Sequence, residues 1–419
     1  MSRGPSKHRR LFKTGIIVAT ALIAAAVVAA VPAGRRRALD VAAKARRSAE
    51  AAIGLEPDRA VVAAEWARKR RIGVVQARVN LTNFYNKTTP EIRRLFEVGG
   101  LAPGDTLIRW GRADPSFVVS SKVFEADESG RSYRLRPNLR SVWLRQVTPQ
   151  GAPLMLLEVP DTPEVRAAAG PAGAIVDEGS IQTTNSWGLR GPEPDPEATL
   201  RGIVLGDSFM QGMFVGDADT PPLLLEKRLA DAWRVPVSVL NTGHIGYSPE
   251  QYYYTLKQYA DRFRPHFVVV SVCPNDFGDY NDVLAGKGDS WDEAGYWLGE
   301  IAQVCRSRAI PCVLVPVPVD AQVVNSRRDL YYPARLTHLF PAGPPLYCDP
   351  LNDFIDEHLR LVRDGDRRGQ RPSTSPLYNL QIADNHFSPL GAALWARVVA
   401  RRLTLLVDPP PSAESSQER

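Results

Sequence analysis

A serine that ends an apolar run is the first candidate for chemistry in this chain of 419 residues. In "GIVLGDSFMQG", residues 202–212, the run stops at Gly206, Asp207 and Ser208. An apolar run bounded by glycine signals a buried strand, and small residues at its carboxyl end mark a tight strand-to-helix connection. In open α/β sheets that end of the strands is where ligands bind. Three more polar clusters follow, "NTGHIG" (Asn241 to Gly246), "PND" (Pro274 to Asp276) and "ADNH" (Ala383 to His386). They fall at or near the ends of predicted strands or beside the last predicted helix. Together these residue types suit acyl transfer. A serine hydroxyl needs a base within hydrogen-bond reach, and the base needs a carboxylate to hold its tautomer. Ser208 is the candidate nucleophile, His386 the base and Asp384 its partner. A tetrahedral oxyanion then needs fixed donors. The backbone N–H groups of Ser208 and Gly246 and the side-chain amide of Asn275 can supply them, each worth about 2.7–4 kcal/mol in the transition state.

Each of these residues also has a plainer role open to it. Ser208 can be a helix N-cap. Asp207 suits a hydrogen-bonding role in the turn, and Asp276 suits a loop anchor. His244 is the rival base or a substrate contact, since it sits two residues before Gly246. His8, His266, His338 and His358 have no such setting and read as surface or packing residues. Arg190 either orders the rim of the site or touches substrate. Tyr252, Tyr253 and Tyr254 fall in a predicted helix, where core and surface roles outweigh sugar stacking.

The elements that must position these groups begin after Leu200. "IVLGDS", "VSVLNTG", "HFVVVSVCPND" and "PCVLVPVPV" read as strands. "PPLLLEKRLADAW", "PEQYYYTLKQYADRF" and "DEAGYWLGEIAQVCRSRAI" read as the helices between them, and "SPLGAALWARVVARRLTLLV" as a closing helix. Strands alternating with helices of this length imply parallel βα units with helices on both faces of one sheet. No glycine pattern of the phosphate-cradling or dinucleotide type occurs. Upstream, alternating runs such as "SFVVSSKVF" and "YRLRPNLRSVWLRQV" predict strands between about Leu107 and Leu157, and "VPDTPEVRAAAGPAG" reads as a loop or linker.

The order "GDSFMQG … NTGHIGYSP … CPNDF … DNHFSPLG" resembles the SGNH/GDSL hydrolase superfamily, over roughly residues 180 to 406. Ser208, Gly246, Asn275 and His386 match its four blocks, and "TNSWGLRGPEP" resembles a segment that precedes the nucleophile in anchored bacterial members. The resemblance implies a flavodoxin-like three-layer α/β fold. It also implies esterase, lipase, thioesterase, carbohydrate acetyl esterase or O-acetyltransferase activity, with no metal or organic cofactor. The family's aspartate stands three residues before the histidine, where this chain has Ala383. Asp384 stands two before it, as in relatives resembling alginate-type O-acetyltransferases.

Charge locates the remaining partners. The chain carries a formal +6, but residues 1–71 alone carry +11 and the rest −5. A basic amino-terminal segment argues for a membrane flank rather than a nucleic-acid groove. Gly15 to Val31 is uncharged and bracketed by Lys and Arg, the pattern of an uncleaved single-pass anchor, with a cleaved signal peptide as the alternative. The expected organisation is a basic flank and anchor over 1–34, a helical juxtamembrane region over 35–106 and a β-rich lead-in with linker over 107–180. The hydrolase domain then spans 181–408 and a disordered tail 409–419. Cys305 and Cys312 flank a predicted helix-to-strand turn and can pair in an oxidising compartment, Cys273 reads as a buried thiol, and no zinc-site spacing occurs. The expected function is a membrane-anchored serine esterase or acyltransferase, acting on an acyl, foremost acetyl, ester of an extracytoplasmic glycan or related substrate. The alternative is a catalytically silent scaffold of the same fold in envelope polysaccharide assembly.

Overall fold

The computed structural model describes residues 85, 86, 88–102, 108–110, 117–127, 129–147, 153–278, 283, 284, 290–326, 332, 336, 346–367, 375–379 and 386–407. The anchor expected at Gly15 to Val31 and most of the juxtamembrane region lie outside them. Among the described residues no helix is long and apolar enough to cross a membrane.

The second half of the chain builds a parallel sheet from β8 (Leu200–Leu205), β9 (Val237–Asn241), β10 (Phe267–Val272), β11 (Cys312–Pro316) and β12 (Leu346–Tyr347). Its strand order is β12-β11-β10-β8-β9, with every pair parallel. Numbered from β8, that is the flavodoxin-like order 2-1-3-4-5, whose switch point lies where chain direction reverses beside the first strand. β10 is buried along its whole length, as a central strand covered on both faces must be. Its side chains alternate between two cores. Val268, Val270 and Val272 join Leu256, Tyr259 and Ile301 on one face, while Phe267 and Val269 join Leu225, Leu229, Trp395 and Val399 on the other. The first face is thus covered by α5 (Pro249–Phe263) and α6 (Trp291–Ser307). The second is covered by α4 (Pro221–Trp233) and α8 (Pro389–Leu403).

Upstream lies a second sheet, of β1 (Ile108–Trp110), β2 (Phe117–Val119), β5 (Arg140–Val147), β6 (Pro153–Pro160) and β7 (Ala174–Thr183), in the order β1-β2-β6-β5-β7. A separate hairpin pairs β3 (Phe124–Asp127) with β4 (Ser132–Leu135). Alternation along β5 divides its side chains. Val142 and Leu144 pack in a small core with Leu95 and Phe96 of α1 (Pro90–Gly99), whereas Trp143 enters the large core of the parallel sheet. Phe124, Tyr133 and Leu135 of the hairpin enter that same large core.

The stretch expected as a loop or linker at 159–173 is corrected here. It holds the end of β6 and a helix, α2 (Pro163–Ala169). Thr162 caps it through a hydrogen bond from Val165 N at 3.3 Å, and Val165 and Ala169 are buried one turn apart. Flanking proline and glycine disguise so short a helix. Cys305 and Cys312 also need correction. Both are buried in the same apolar core, but each is a free thiol and they form no disulfide.

Candidate active site

Three of the sequence clusters end adjacent parallel strands. Ser208 follows β8, the glycine loop follows β9, and Asn275 follows β10. Gly206 is needed where it stands, because a Cβ would lie 2.4 Å from Met210 Cγ. Asp207 then caps the short helix α3 (Ser208–Gln211), its Oδ1 accepting from Phe209 N at 3.0 Å. The capping role therefore belongs to Asp207, and the Ser208 hydroxyl is left for other work. His386 Nε2 lies 2.7 Å from Ser208 Oγ, although 178 residues separate them in the chain. Asp384, its expected partner, lies outside the described residues.

The imidazole is held by groups that sequence inspection does not single out. His386 stacks on Phe209 with centroids 4.6 Å apart and planes at 25°, and it meets Phe214 edge-on at 5.8 Å. Its carbonyl accepts from Asn379 N at 2.7 Å, and the Asn379 side chain donates to Phe214 O at 3.1 Å. Phe214 has φ 66°, a left-handed conformation that an aromatic residue adopts only when its surroundings force it. Trp143 braces it, ring to ring, at 5.2 Å. Phe209 adjoins Ser208 in sequence, which is the only hint there.

The glycine loop lies against α3. His244 N donates to Gly206 O at 3.3 Å, and Ile245 N donates to Gln211 Oε1 at 2.6 Å. Gly246 itself has φ 65° and is half-buried. His244 is corrected from rival base or substrate contact. It is fully buried, stacked on Tyr247 at 4.6 Å, with Nδ1 3.1 Å from Thr242 O. Burial drives its pKa down to about 3, so it stays neutral and structural.

On the other side, Asn275 is exposed and its Nδ2 donates to Asp207 Oδ2 at 3.4 Å. The Cys273 thiol lies between them, 2.8 Å from Asp207 Oδ2 and in hydrogen-bond contact with Asn275 Oδ1. Asp276 is the loop anchor, accepting from Cys273 N at 2.9 Å and from the Tyr252 hydroxyl at 3.1 Å. Burial raises the pKa of both carboxyls, and the charge of Asp207 pushes Asp276 higher still. His266 accepts from Arg201 N at 3.0 Å and His358 is buried, both packing roles, while His8 and His338 lie outside the described residues.

Arg190 orders the site and does not reach its surface. It is buried, with Nε 2.9 Å from Asp217 Oδ1, Nη1 donating to Gln211 O at 2.8 Å and to Gly212 O, and Nη2 donating to Val215 O at 2.6 Å. One guanidinium thus ties down the carbonyls at the end of α3 and the loop that carries Phe214. Among the described residues no group of three or more His, Cys, Asp or Glu is placed to hold a metal ion.

Behind this loop Glu158 of β6 is wholly buried, with the Ser141 hydroxyl donating to it at 3.1 Å. Burial raises its pKa from 4.5 to about 8, against the pull of Ser141 and the charge of Arg190. Between those values the folded protein holds a proton that the unfolded chain has lost. Its contribution is therefore complete below the ordinary carboxylate range and fades as pH climbs toward 8. At roughly 1.4 kcal/mol per pK unit, the wild type should lose a few kcal/mol across that window. Glu158→Gln, which cannot ionise, should flatten the loss in urea titrations at pH 5 and pH 9. An unchanged slope would remove Glu158 as its source.

No family model matches the chain, and no curated protein matches it. Solved structures do. An acetyl xylan esterase is 16% identical with a TM-score of 0.37, covering 49% of this chain and 100% of its own. A lipase/acylhydrolase from Enterococcus faecalis is 16% identical with a TM-score of 0.35, over 51% of this chain and 100% of its own. A GDSL-like lipase from Bacteroides thetaiotaomicron VPI-5482 is 14% identical with a TM-score of 0.31, over 50% and 90%. At this distance the chemistry has to be read from the chain's own residues, above all the contact between Ser208 and His386.

Proposed function

We propose that this chain is a serine-dependent acyl-ester enzyme of the SGNH/GDSL kind, an esterase or an O-acyltransferase. The observation that carries the proposal is the 2.7 Å contact between Ser208 Oγ and His386 Nε2 at the carboxyl edge of the parallel sheet. Ser208 Oγ attacks the ester carbonyl while His386 Nε2 takes its proton. The carbonyl oxygen becomes an oxyanion facing the N–H groups of Ser208 and Gly246 and the side-chain amide of Asn275. On collapse the alcohol leaves with the proton from His386, and the acyl group remains on Ser208. Water or a sugar hydroxyl then attacks and gives its proton to His386, which passes it to Ser208 Oγ as the acid or a new ester departs. Asp384, two residues before His386 in the sequence, is the partner proposed to hold its tautomer.

The proposed substrate is an acetyl or other acyl ester of an extracytoplasmic glycan. Support comes from the basic-flanked apolar segment at Gly15 to Val31, read as a single-pass anchor for an exported body that begins at 35 and carries the hydrolase part over 181–408. The Asp-x-His ending resembles that of alginate-type O-acetyltransferases. The test is a fluorophosphonate probe with p-nitrophenyl acetate. The probe should lose fluoride and leave its phosphonyl group on the peptide containing Ser208, and leave Ser208→Ala unlabelled. Free acetate or acetylated sugar among the products distinguishes hydrolysis from transfer. Failure of the folded protein to label or to turn over ester would favour the silent scaffold.

A further inference from the structure

The N–H of Gly246 belongs to the same planar peptide unit as the carbonyl of Ile245. In a trans peptide the two point in opposite directions, so whatever fixes one aims the other. That carbonyl is held from outside the parallel-sheet module. The Tyr133 hydroxyl, on β4 of the upstream hairpin, donates to Ile245 O. The Tyr247 hydroxyl donates back to Tyr133 O, and the two rings meet edge-on at 5.1 Å and 68°. Tyr133 is itself buried, beside Phe124 at 5.9 Å. The other side of the loop is held through Ile245 N and Gln211 Oε1, and the Gln211 amide donates in turn to Gln182 Oε1 of β7 at 3.3 Å. With Gly246 at φ 65°, nothing in its own side chain resists a flip of the preceding peptide.

We propose that Tyr133 is a positioning residue for acyl transfer: its hydroxyl locks the Ile245–Gly246 peptide so that the Gly246 N–H faces the oxyanion. This rests on the acyl-transfer role proposed for Ser208. It makes the upstream hairpin part of the machinery that the four sequence blocks define.

Tyr133→Phe in the full chain removes the hydroxyl and keeps the ring, so the core stays filled. With p-nitrophenyl acetate, kcat should fall about 10- to 100-fold while KM stays within about twofold and the pH profile keeps its midpoint. Amide exchange across residues 243–247 should quicken. Tyr259→Phe is the control, since it removes another buried hydroxyl, donating to Trp187 O at 3.4 Å from α5. It should cost stability without lowering kcat at a temperature where both variants are folded. Wild-type kcat in Tyr133→Phe, unaltered exchange at 243–247, or an equal loss in Tyr259→Phe would overturn the role of Tyr133 alone. Absence of Ser208-dependent turnover in the unmodified protein is a different result, and it would overturn the acyl-transfer proposal together with this one.

Discussion

Ser208→Ala is expected to lower kcat for p-nitrophenyl acetate by roughly 10⁴- to 10⁶-fold, to the residual rate that bound substrate and oxyanion donors alone sustain. The expectation is this large because the hydroxyl is the only atom lost. Asp207, not Ser208, caps α3, so the variant keeps the helix start and the Phe209 N bond at 3.0 Å. The backbone N–H at position 208 also survives. His386 keeps its two aromatic neighbours at 4.6 and 5.8 Å, so the base stays in place with nothing to deprotonate. Stability should therefore change by less than about 1 kcal/mol while turnover collapses. Equal turnover by the two proteins, measured on folded samples with matched circular dichroism, would end the serine mechanism.

Gly243→Ala should be the most damaging small substitution in the site. A Cβ there would lie 2.2 Å from Gln211 N and 2.5 Å from Met210 C. Both are backbone atoms of α3, which cannot swing aside as the tip of a side chain can. The glycine loop must then lift away from α3, and the bond from Ile245 N to Gln211 Oε1 at 2.6 Å goes with it. Misplacing an oxyanion donor costs about 10²–10³ in kcat, and overpacking of this kind about 1–3 kcal/mol in stability. Gly170→Ala makes the contrast. That residue has φ −57°, and an added Cβ meets nothing within 4 Å. It should be neutral or slightly stabilising. Wild-type kcat in Gly243→Ala would mean that the contact between the loop and α3 does not matter to catalysis.

The parallel module was legible because its signals are local. Buried strands such as "FVVVSV" announce themselves by composition, and α5 was read residue for residue as "PEQYYYTLKQYADRF" from its period and its opening proline. The polar blocks were legible because strand ends in such a sheet converge on one rim. What stayed hidden depends on contacts between distant segments. His244 stands within a polar loop in the sequence, yet Tyr247 and the surrounding core seal it in. Tyr133 lies 112 residues before the carbonyl it holds, and Phe214 owes its backbone conformation to Trp143 and Asn379. For Arg190 the sequence left two roles open, and only its four partners decide between them. The amphipathic helix α7 (Leu351–Arg367) was legible in principle, with Phe354 and Ile355 buried, but it follows no block that drew attention.

Phe124, Tyr133, Leu135 and Trp143 fill the same apolar interior as the helices that follow β9 and β10. A fragment begun at residue 181, where the four motifs suggest a boundary, would therefore lack one wall of its own interior. The bared surface would hold Tyr247 and Phe214, the very neighbours of the glycine loop and the base, and such a patch invites self-association. The shortest stretch of this protein that can be expected to melt as one body therefore starts well upstream of the four polar blocks.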